Sequence, residues 1–285
     1  MTGRTDSIGL VIPEPTGLLF GDPFFPRLVR GISEVLSARQ LQLVLLAPQS
    51  VAEEARLEGY LSAGHVDGVL MVSLHGADPL PQRLVRRGMP VVLGGRPSGT
   101  APLTYVDVDN VGGARMAVEH LLAIGRKRIA TITGPLDMAA GVDRLQGYRD
   151  AIRQSGFLTD ESYEHVGDFG QESGAIGMQA LLDRHPELDA VFCASDVMAP
   201  GALRILRQMR RRVPQDVAVV GYDDSSIATS TVPALSSVRQ PDEEMGREMA
   251  RLLLSKIDSP ESGVRRVILT TELVIRASSG RANGE

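Results

Sequence analysis

Cysteine is nearly absent from this sequence of 285 residues, and long apolar runs are missing altogether. Cys193 is the only cysteine, which excludes a disulfide within the chain and any metal site built from several cysteines. It lies in the apolar run AVFCA, which favours the role of a small buried hydrophobic side chain. No apolar run approaches the roughly 18 residues that can span a bilayer, so no membrane partner is expected.

An excess of basic residues is also missing. The formal net charge of −5 argues against a surface that binds a phosphate backbone. The one basic cluster, formed by Arg207, Arg210, Arg211 and Arg212, ends a predicted helix, where its interaction with the helix C-terminus explains it. The opening residues MTGRTDS lack the apolar stretch of a secretory signal, so the sequence predicts a cytoplasmic protein.

Motifs of the common enzyme classes do not occur. There is no GxxxxGK[ST] phosphate loop and no GxSxG nucleophile turn, and the five histidines show no HExxH-like pairing. The glycine-rich segment GGRPSG is not followed by a helix with the glycine spacing of a dinucleotide site. The sequence therefore predicts no catalytic residue, no metal and no cofactor.

Short apolar runs alternate with helical patterns along almost the whole chain. The predicted strands are IGLVIP (8–13), LQLVLL (41–46), GVLMV (68–72), PVVLG (90–94), TYVDV (104–108), IATIT (129–133), YEHVG (163–167), AVFCA (190–194), VAVVG (217–221) and VILTTELVIRAS (267–278). The helical patterns between them include 25–38, a helix capped by Ser50, one capped by Asn110 that stops at Gly125, and others near 171–183, 197–209 and 242–257.

This alternation predicts the α/β class, with parallel sheets covered by helices on both faces. Continuously apolar strands agree with burial on both faces. About ten strand–helix units are too many for one sheet, so two doubly wound lobes are favoured; a barrel of eight units is the alternative. No low-complexity linker separates the halves, which indicates that the lobes share crossing strands.

Residues that follow the strands are the candidates for ligand binding, because ligands of open α/β sheets lie beyond the carboxyl ends of the strands. These positions hold rings, guanidinium groups, carboxylates and an amide, which suit a small ligand with hydroxyl or carbonyl groups. They are Asp22, Phe24, Phe25, Gly95, Arg96, Arg144, Asp168, Phe169, Ser195, Asp196, Tyr222, Asp223, Asp224 and Gln240.

Each candidate also has a purely structural interpretation. Phe24 and Phe25 can serve as helix core, and Asp196 can cap the following helix. Asp223 and its neighbour Asp224 can shape a turn. Arg144 can form an ordinary ion pair with Asp143 or Asp223.

Read together, these segments resemble the effector-binding core of lactose- and galactose-repressor-type (LacI-type) regulators, which periplasmic sugar-binding proteins share. The resemblance runs from Ser7 to about Gly280. It is carried by IGLVIP, PFFPRLVRGI, VDGVLMV, VDVDNVGGARMAVEHLLAIGRKRIATITGP, RLQGYRDAI, FCASDVMAPGALRILR, VPQDVAVVGYDD, PALSSVRQP and TELVIRASSG.

The resemblance implies the periplasmic-binding-protein-like type I fold, in which three crossover strands join two lobes. The N-terminal lobe would comprise 6–108 plus 241–267, and the C-terminal lobe 109–240 plus 268–280. Two cores would pair through helices of the first lobe as a homodimer. Operator DNA would be bound only through a headpiece absent from this sequence, since TGRTDSIGLVIP looks like the connector that follows it. In such regulators the two lobes can open and close, and a ligand shifts this equilibrium only by its preference for one closure state.

The resemblance also implies roles for eight of the strand-end residues, and two more occupy matching positions with a different residue type. In the N-terminal lobe's part of the pattern, Asp22 matches a polar residue that faces the ligand, Phe24 and Phe25 match two rings that sandwich it, and Arg96 matches a second arginine. In the other lobe, Arg144 matches an arginine that grips the ligand, Phe169 an aromatic wall, and Asp223 a carboxylate that accepts from it. Gln240 matches an amide on the hinge side. Gly95 and Ser195 depart from the pattern, because sugar binders often have Asp and Asn there.

These departures weaken the case for a pentose or hexose in the usual pose, because a buried polar group matched to a hydroxyl discriminates strongly. A sugar remains the first expectation, with another small metabolite, or no effector at all, as the alternatives. The loop 14–22 looks longer than usual, so it can roof or fill the cleft. Two other functions stay open: a receptor that feeds a sugar transporter, and an enzyme on the same scaffold.

Overall fold

The structure, a computed structural model, describes residues 4–156 and 159–280. Its strands are β1 (Ser7–Val11), β2 (Gln42–Leu46), β3 (Gly68–Val72), β4 (Val91–Gly94), β5 (Tyr105–Val108), β6 (Ile129–Thr133), β7 (Glu164–Val166), β8 (Ala190–Cys193), β9 (Ala218–Asp223), β10 (Ser236–Arg239), β11 (Arg266–Leu269) and β12 (Glu272–Val274). Its helices are α1 (Thr16–Gly21), α2 (Phe24–Ser37), α3 (Val51–Ser62), α4 (Leu80–Arg86), α5 (Asn110–Ala123), α6 (Ala139–Gln154), α7 (Gln171–Arg184), α8 (Ala199–Gln208), α9 (Ser226–Ser230) and α10 (Asp242–Asp258).

The chain divides into two compact units. Unit 1 comprises Met1–Val108 and Pro241–Leu269, and unit 2 comprises Asp109–Gln240 and Thr270–Glu285. Each unit contains an open six-stranded sheet rather than part of a barrel. The predicted α/β class with two parallel-dominated sheets is therefore confirmed.

Unit 1 has the strand order β11-β5-β4-β3-β1-β2, and every pair in it is parallel. Alternate strand residues face opposite sides: Leu70 and Val72 pack with α2 and α10, whereas Val69 and Met71 pack with α3 and α4. The strands are continuously apolar because helices cover both faces of the sheet.

Unit 2 repeats this plan with the order β12-β10-β9-β8-β6-β7. Only the edge pair β10–β12 is antiparallel among the described strands of this sheet. Val220 and Phe192 pack with α5 and α6 on one face, and Val219 and Val191 pack with α7 and α8 on the other. The parallel order brings the carboxyl ends of β6, β8 and β9 to one edge, where the polar candidates of unit 2 lie.

Two local predictions were wrong. The run 267–278 was interpreted as one strand, but it forms β11 in the sheet of unit 1 and β12 in the sheet of unit 2. Asn110 was interpreted as a helix cap, but the cap of α5 is Asp109, whose side chain accepts a hydrogen bond from the Gly112 amide at 2.8 Å. Asn110 is instead the first residue of α5, and its side-chain oxygen accepts a hydrogen bond from Arg144 Nε at 2.9 Å.

None of the helices in residues 4–156 and 159–280 combines the length and apolar character that a membrane crossing requires.

Candidate functional site

Arg144, on α6, is the centre of a buried polar cluster in unit 2. Its Nε donates to Asn110 Oδ1 at 2.9 Å, and its Nη1 donates to the Ala194 carbonyl at 2.6 Å. Its Nη2 donates to Gln240 Oε1 at 3.3 Å, and Nη1 lies 3.5 Å from Asp223 Oδ1. The guanidinium group is thus fixed by contacts from four different segments.

Two aromatic rings border this guanidinium group. Its central carbon lies 3.6 Å from the centroid of the Tyr222 ring, which is a close cation–π contact, and 5.6 Å from the centroid of the Phe169 ring. Phe169 has a positive φ of 66°, and a Cβ atom on Gly134 would lie only 2.1 Å from its ring. A glycine at 134 is therefore required for the ring to occupy its position.

Asp223 and Gln240 complete the cluster. Gln240 Nε2 donates to Asp223 Oδ1 at 2.9 Å, and both side chains are buried. Asp223 ends β9 with a φ of 110°, a conformation that side-chain-bearing residues seldom adopt. The sequence left open whether Asp223 shapes a turn or binds a ligand. In the structure it does shape a turn, and this turn directs its carboxylate toward Arg144.

Asp196 does not cap the following helix, α8, which was one interpretation of this residue; Ser195 contacts the helix start instead. Ser195 Oγ accepts a hydrogen bond from the Met198 amide at 3.3 Å and donates to the Phe169 carbonyl at 3.1 Å, so Ser195 supports the start of α8. The Asp196 carboxylate instead accepts from Ser237 Oγ at 2.6 Å and from the Ser225 amide at 2.7 Å. Burial raises the pKa of Asp196 to about 7, against these two hydrogen bonds, which favour the charged form.

The candidates of unit 1 lie in two groups. Asp22 Oδ1 accepts from the Phe24 amide at 2.9 Å and so shapes the entry to α2. The rings of Phe24 and Phe25 meet edge to face, with centroids 5.2 Å apart. Phe25 is buried in the core, and Phe24 is only partly buried. Core packing therefore accounts for Phe25, while Phe24 retains an accessible surface.

The second group of unit 1 follows β4. Gly95 has a φ of 98°, so the left-handed turn that it forms favours glycine over the Asp of sugar binders. The Arg96 amide donates to Asp107 Oδ2 at 2.9 Å. Asp168, in unit 2, caps its own turn by accepting from the Gly170 amide at 2.7 Å, so its carboxylate has a local structural role.

The structure thus brings together five predicted residues in unit 2, namely Arg144, Phe169, Ser195, Asp223 and Gln240. Sequence reasoning missed Asn110, because an Asn at a helix start is usually a cap. It also missed a unit 1 cluster in which Glu14 Oε1 accepts from Ser73 Oγ and lies 3.2 Å from His75 Nε2. Only the strand-end position of Ser73 offered a signal for that cluster.

Other reactive groups are few in the described part of the chain. Burial raises the pKa of the Cys193 thiol to about 12, which keeps it protonated and unreactive at neutral pH. No group of three or more His, Cys, Asp or Glu side chains within the described ranges is arranged to hold a metal ion.

Comparison with known proteins gives one consistent answer. Residues 118–279 match the model of the Periplasmic binding protein-like domain family. The HTH-type transcriptional regulator CelR of Thermobifida fusca is 51% identical over 280 residues, which cover 98% of this chain and 82% of the relative. The HTH-type transcriptional repressor CytR of Escherichia coli K12 is 35% identical over 261 residues, covering 90% and 76% of the two chains.

A solved structure, that of the transcriptional regulator CelR–cellobiose complex, superimposes with a TM-score of 0.94 at 51% identity. The superposition covers 96% of this chain and 85% of that chain. The similarity therefore extends through both units. The 280 aligned residues must contain every candidate residue, because the chain has only 285.

Proposed function

Because the chain belongs to the LacI-type family of transcriptional regulators, we propose that it is a sugar sensor whose effector is a cellobiose-like disaccharide. The sugar class is supported by the cellobiose complex of a relative at 51% identity. The relatives described above are transcriptional regulators, which supports neither the transport-receptor alternative nor an enzyme.

One observation carries the choice of a neutral sugar: the buried Arg144 charge is already balanced by Asp223 in the same cluster. A carboxylate or phosphate ligand would add an anion beside Asp223, whereas a hydroxyl can both donate to the carboxylate and accept from the guanidinium. The neighbouring Phe169 ring offers an apolar face for the C–H groups of a sugar.

The two departures from the sugar-binder pattern fit a changed pose rather than a lost site. Ser195 Oγ already makes two hydrogen bonds to the backbone, so we infer that it contributes little directly to the sugar. Arg144, Phe169, Asp223 and Gln240 are the contacts that we assign. The roles of Asp22, Phe24, Phe25, Gly95 and Arg96 remain predictions.

We further propose that sugar binding changes the affinity of the full-length protein for operator DNA. The relatives are HTH-type regulators, and paired half-sites on DNA call for a two-fold symmetric homodimer. A protein that acts on chromosomal DNA would be cytoplasmic, which agrees with the expectation from the sequence.

Isothermal titration calorimetry with cellobiose, glucose and ribose tests the proposed effector class. We expect saturable binding of cellobiose that is stronger than that of either monosaccharide. Differential scanning calorimetry should show a rise in melting temperature, because a ligand at about 100 times its Kd stabilises the folded state by about 2.7 kcal/mol. Absence of binding and of any stabilisation by all three sugars at millimolar concentration would contradict the proposal.

A further inference from the structure

Asp196 is a fully buried carboxylate beside the Arg144 cluster, and the contacts proposed for the sugar do not include it. It lies three residues beyond the end of β8, and Asp223 is the last residue of β9. These two strands are neighbours in the sheet of unit 2, so their carboxyl ends bring the two residues together. The exposed fraction of Asp196 is 0%, and burial of a carboxylate is costly unless hydrogen bonds compensate for it.

The sheet of unit 2 provides a fitted space for this carboxylate. A Cβ atom on Gly221, in β9, would lie 2.4 Å from Asp196 Oδ1, so only a glycine leaves room for it. Asp196 Oδ1 accepts from Ser237 Oγ at 2.6 Å, and Asp196 Oδ2 accepts from the Ser225 amide at 2.7 Å. Ser237 Oγ in turn accepts from the Asp224 amide at 3.0 Å. The carboxylate is therefore joined to β10 and to the turn that ends β9.

The turn that ends β9 is strained. Asp223 has a φ of 110° and Asp224 a φ of 49°, and two consecutive non-glycine residues with positive φ persist only where the surrounding structure fixes them. The Asp196 main-chain amide donates to the Tyr222 carbonyl at 2.7 Å. Because the Asp196 carboxylate accepts from the Ser225 amide, Asp196 binds the turn on both sides of Asp223.

We propose that Asp196 is a positioning residue for the sugar: it holds Asp223 in the orientation that accepts a hydrogen bond from one sugar hydroxyl. Asp196 acts through the turn and does not touch the sugar. A carboxylate binds a hydroxyl only when its oxygen lies at the right distance and angle, so a loosened turn weakens this one contact more than the others. The inference rests on the proposed function, which supplies the sugar.

Calorimetric titrations with cellobiose and its monodeoxy analogues compare wild type with Asp196→Asn. The amide has nearly the same shape, but its NH2 group cannot accept a hydrogen bond from Ser225 or Ser237. We expect the Kd for cellobiose to rise about 10-fold, within the range by which members of one hydrogen-bond network are coupled. One analogue, which lacks the hydroxyl that donates to Asp223, should bind wild type about 10-fold more weakly than cellobiose but bind Asp196→Asn nearly as well as cellobiose does. The other analogues should keep their affinities relative to cellobiose.

Asp189→Asn is the matched control. Asp189 directly precedes β8, at the other end of the same strand, and its carboxylate accepts from the Lys127 amide at 3.0 Å and from the Arg128 amide at 2.9 Å. The substitution disturbs a comparable contact with the main chain, but at the edge of the sheet opposite to the Arg144 cluster. The melting temperature should fall, while the Kd for cellobiose and for each analogue should stay at the wild-type value.

Thermal melting establishes first that each variant is folded. If Asp196→Asn does not fold, Ser237→Ala provides the second test, because it keeps the carboxylate but removes the hydroxyl that joins it to the Asp224 amide. It should reduce the penalty for one analogue and leave the other penalties unchanged. An unchanged Kd in the variant, or an equal loss of affinity for cellobiose and every analogue, would overturn this inference and leave the proposed function intact. Failure of wild type to bind any sugar would overturn the proposed function together with it.

Discussion

Arg144 and Asp223 are two buried charges that compensate each other within unit 2, at a distance of 3.5 Å. We expect Arg144→Ala to lower the free energy of unfolding by about 3–5 kcal/mol, because it leaves a buried carboxylate without its partner. Sugar binding should be lost as well. Urea denaturation and calorimetric titration measure the two effects separately.

Arg153→Ala is the control for this prediction. Arg153 lies on the same helix, α6, but its side chain is 51% exposed and pairs with Asp150. Such exposed pairs contribute less than about 1 kcal/mol, so stability and affinity should both stay near the wild-type values. An Arg144→Ala protein with wild-type stability would show that the buried pair is not a coupled unit.

Asp196 makes the stability of unit 2 depend on pH. Burial raises its pKa to about 7, whereas an unfolded aspartate titrates near 3.9. Between these values the folded state holds a proton that the unfolded state has released, so stability falls as pH rises. The contribution is fully present below about pH 4 and is lost once the pH passes about 7.

We therefore expect the urea midpoint of wild type to fall between pH 5 and pH 8 by more than that of Asp196→Asn, which carries no titrating group. The comparison of the two proteins removes the contribution of other groups, such as His120, whose pKa burial lowers. Parallel pH profiles for the two proteins would contradict the raised pKa.

At the scale of helices and strands, periodicity predicted most of the architecture because each helix buries one face and each strand is buried on both. The helix predicted at 242–257 is α10, Asp242–Asp258, and the one at 171–183 is α7, Gln171–Arg184. The short helices α1 and α9 were not predicted, since six and five residues are too few for a periodic pattern.

The failures at this scale share a physical cause: the sequence does not state which partner a polar side chain will find. Asp196 and Ser195 both suit a helix start, and the tertiary positions of Ser225 and Ser237 draw the Asp196 carboxylate away. The run 267–278 contains no proline or glycine, so no turn residue in it marks the point after Leu269 where the chain leaves unit 1.

The pairing of α2 with α10 depends on two glycines. A Cβ atom on Gly31 would lie 1.9 Å from the Glu243 carbonyl, and one on Gly246 would lie 2.2 Å from the Leu28 carbonyl. We expect Gly31→Ala to separate the helices and to destabilise the protein by about 1–3 kcal/mol, the usual cost of overpacking. Chemical denaturation measures the change.

Gly59→Ala makes the same chemical change on α3, where the added methyl group meets no atom within 4 Å. There alanine should stabilise the protein by about 0.5–1 kcal/mol, because it restricts the unfolded chain and favours the helix. A fall in stability of equal size in both variants would indicate that helix propensity, and not close packing, decides the outcome.

At the scale of the whole molecule, the order and spacing of motifs carried more information than any single site residue. The motif from IATITGP to RLQGYRDAI predicted Arg144 as a candidate site residue, and the YDD turn predicted Asp223. Glu14, in contrast, lies in the loop 14–22, which departs from the family pattern. Contacts that a family shares can be predicted from resemblance. Contacts built from its insertions require the coordinates.

The proposed homodimer can be tested through exposed apolar side chains, which mark association surfaces. Val85 on α4 of unit 1 is 42% exposed, and Val232 in unit 2 is 93% exposed. Sedimentation equilibrium of wild type at micromolar concentration should give twice the mass of one chain.

If helices of unit 1 form the contact, as expected from the sequence, Val85→Asp should give a monomer while Val232→Asp stays a dimer. The reverse result would move the contact to unit 2, because a buried unpaired carboxylate disrupts only the interface that contains it. A wild-type monomer would contradict the dimer itself.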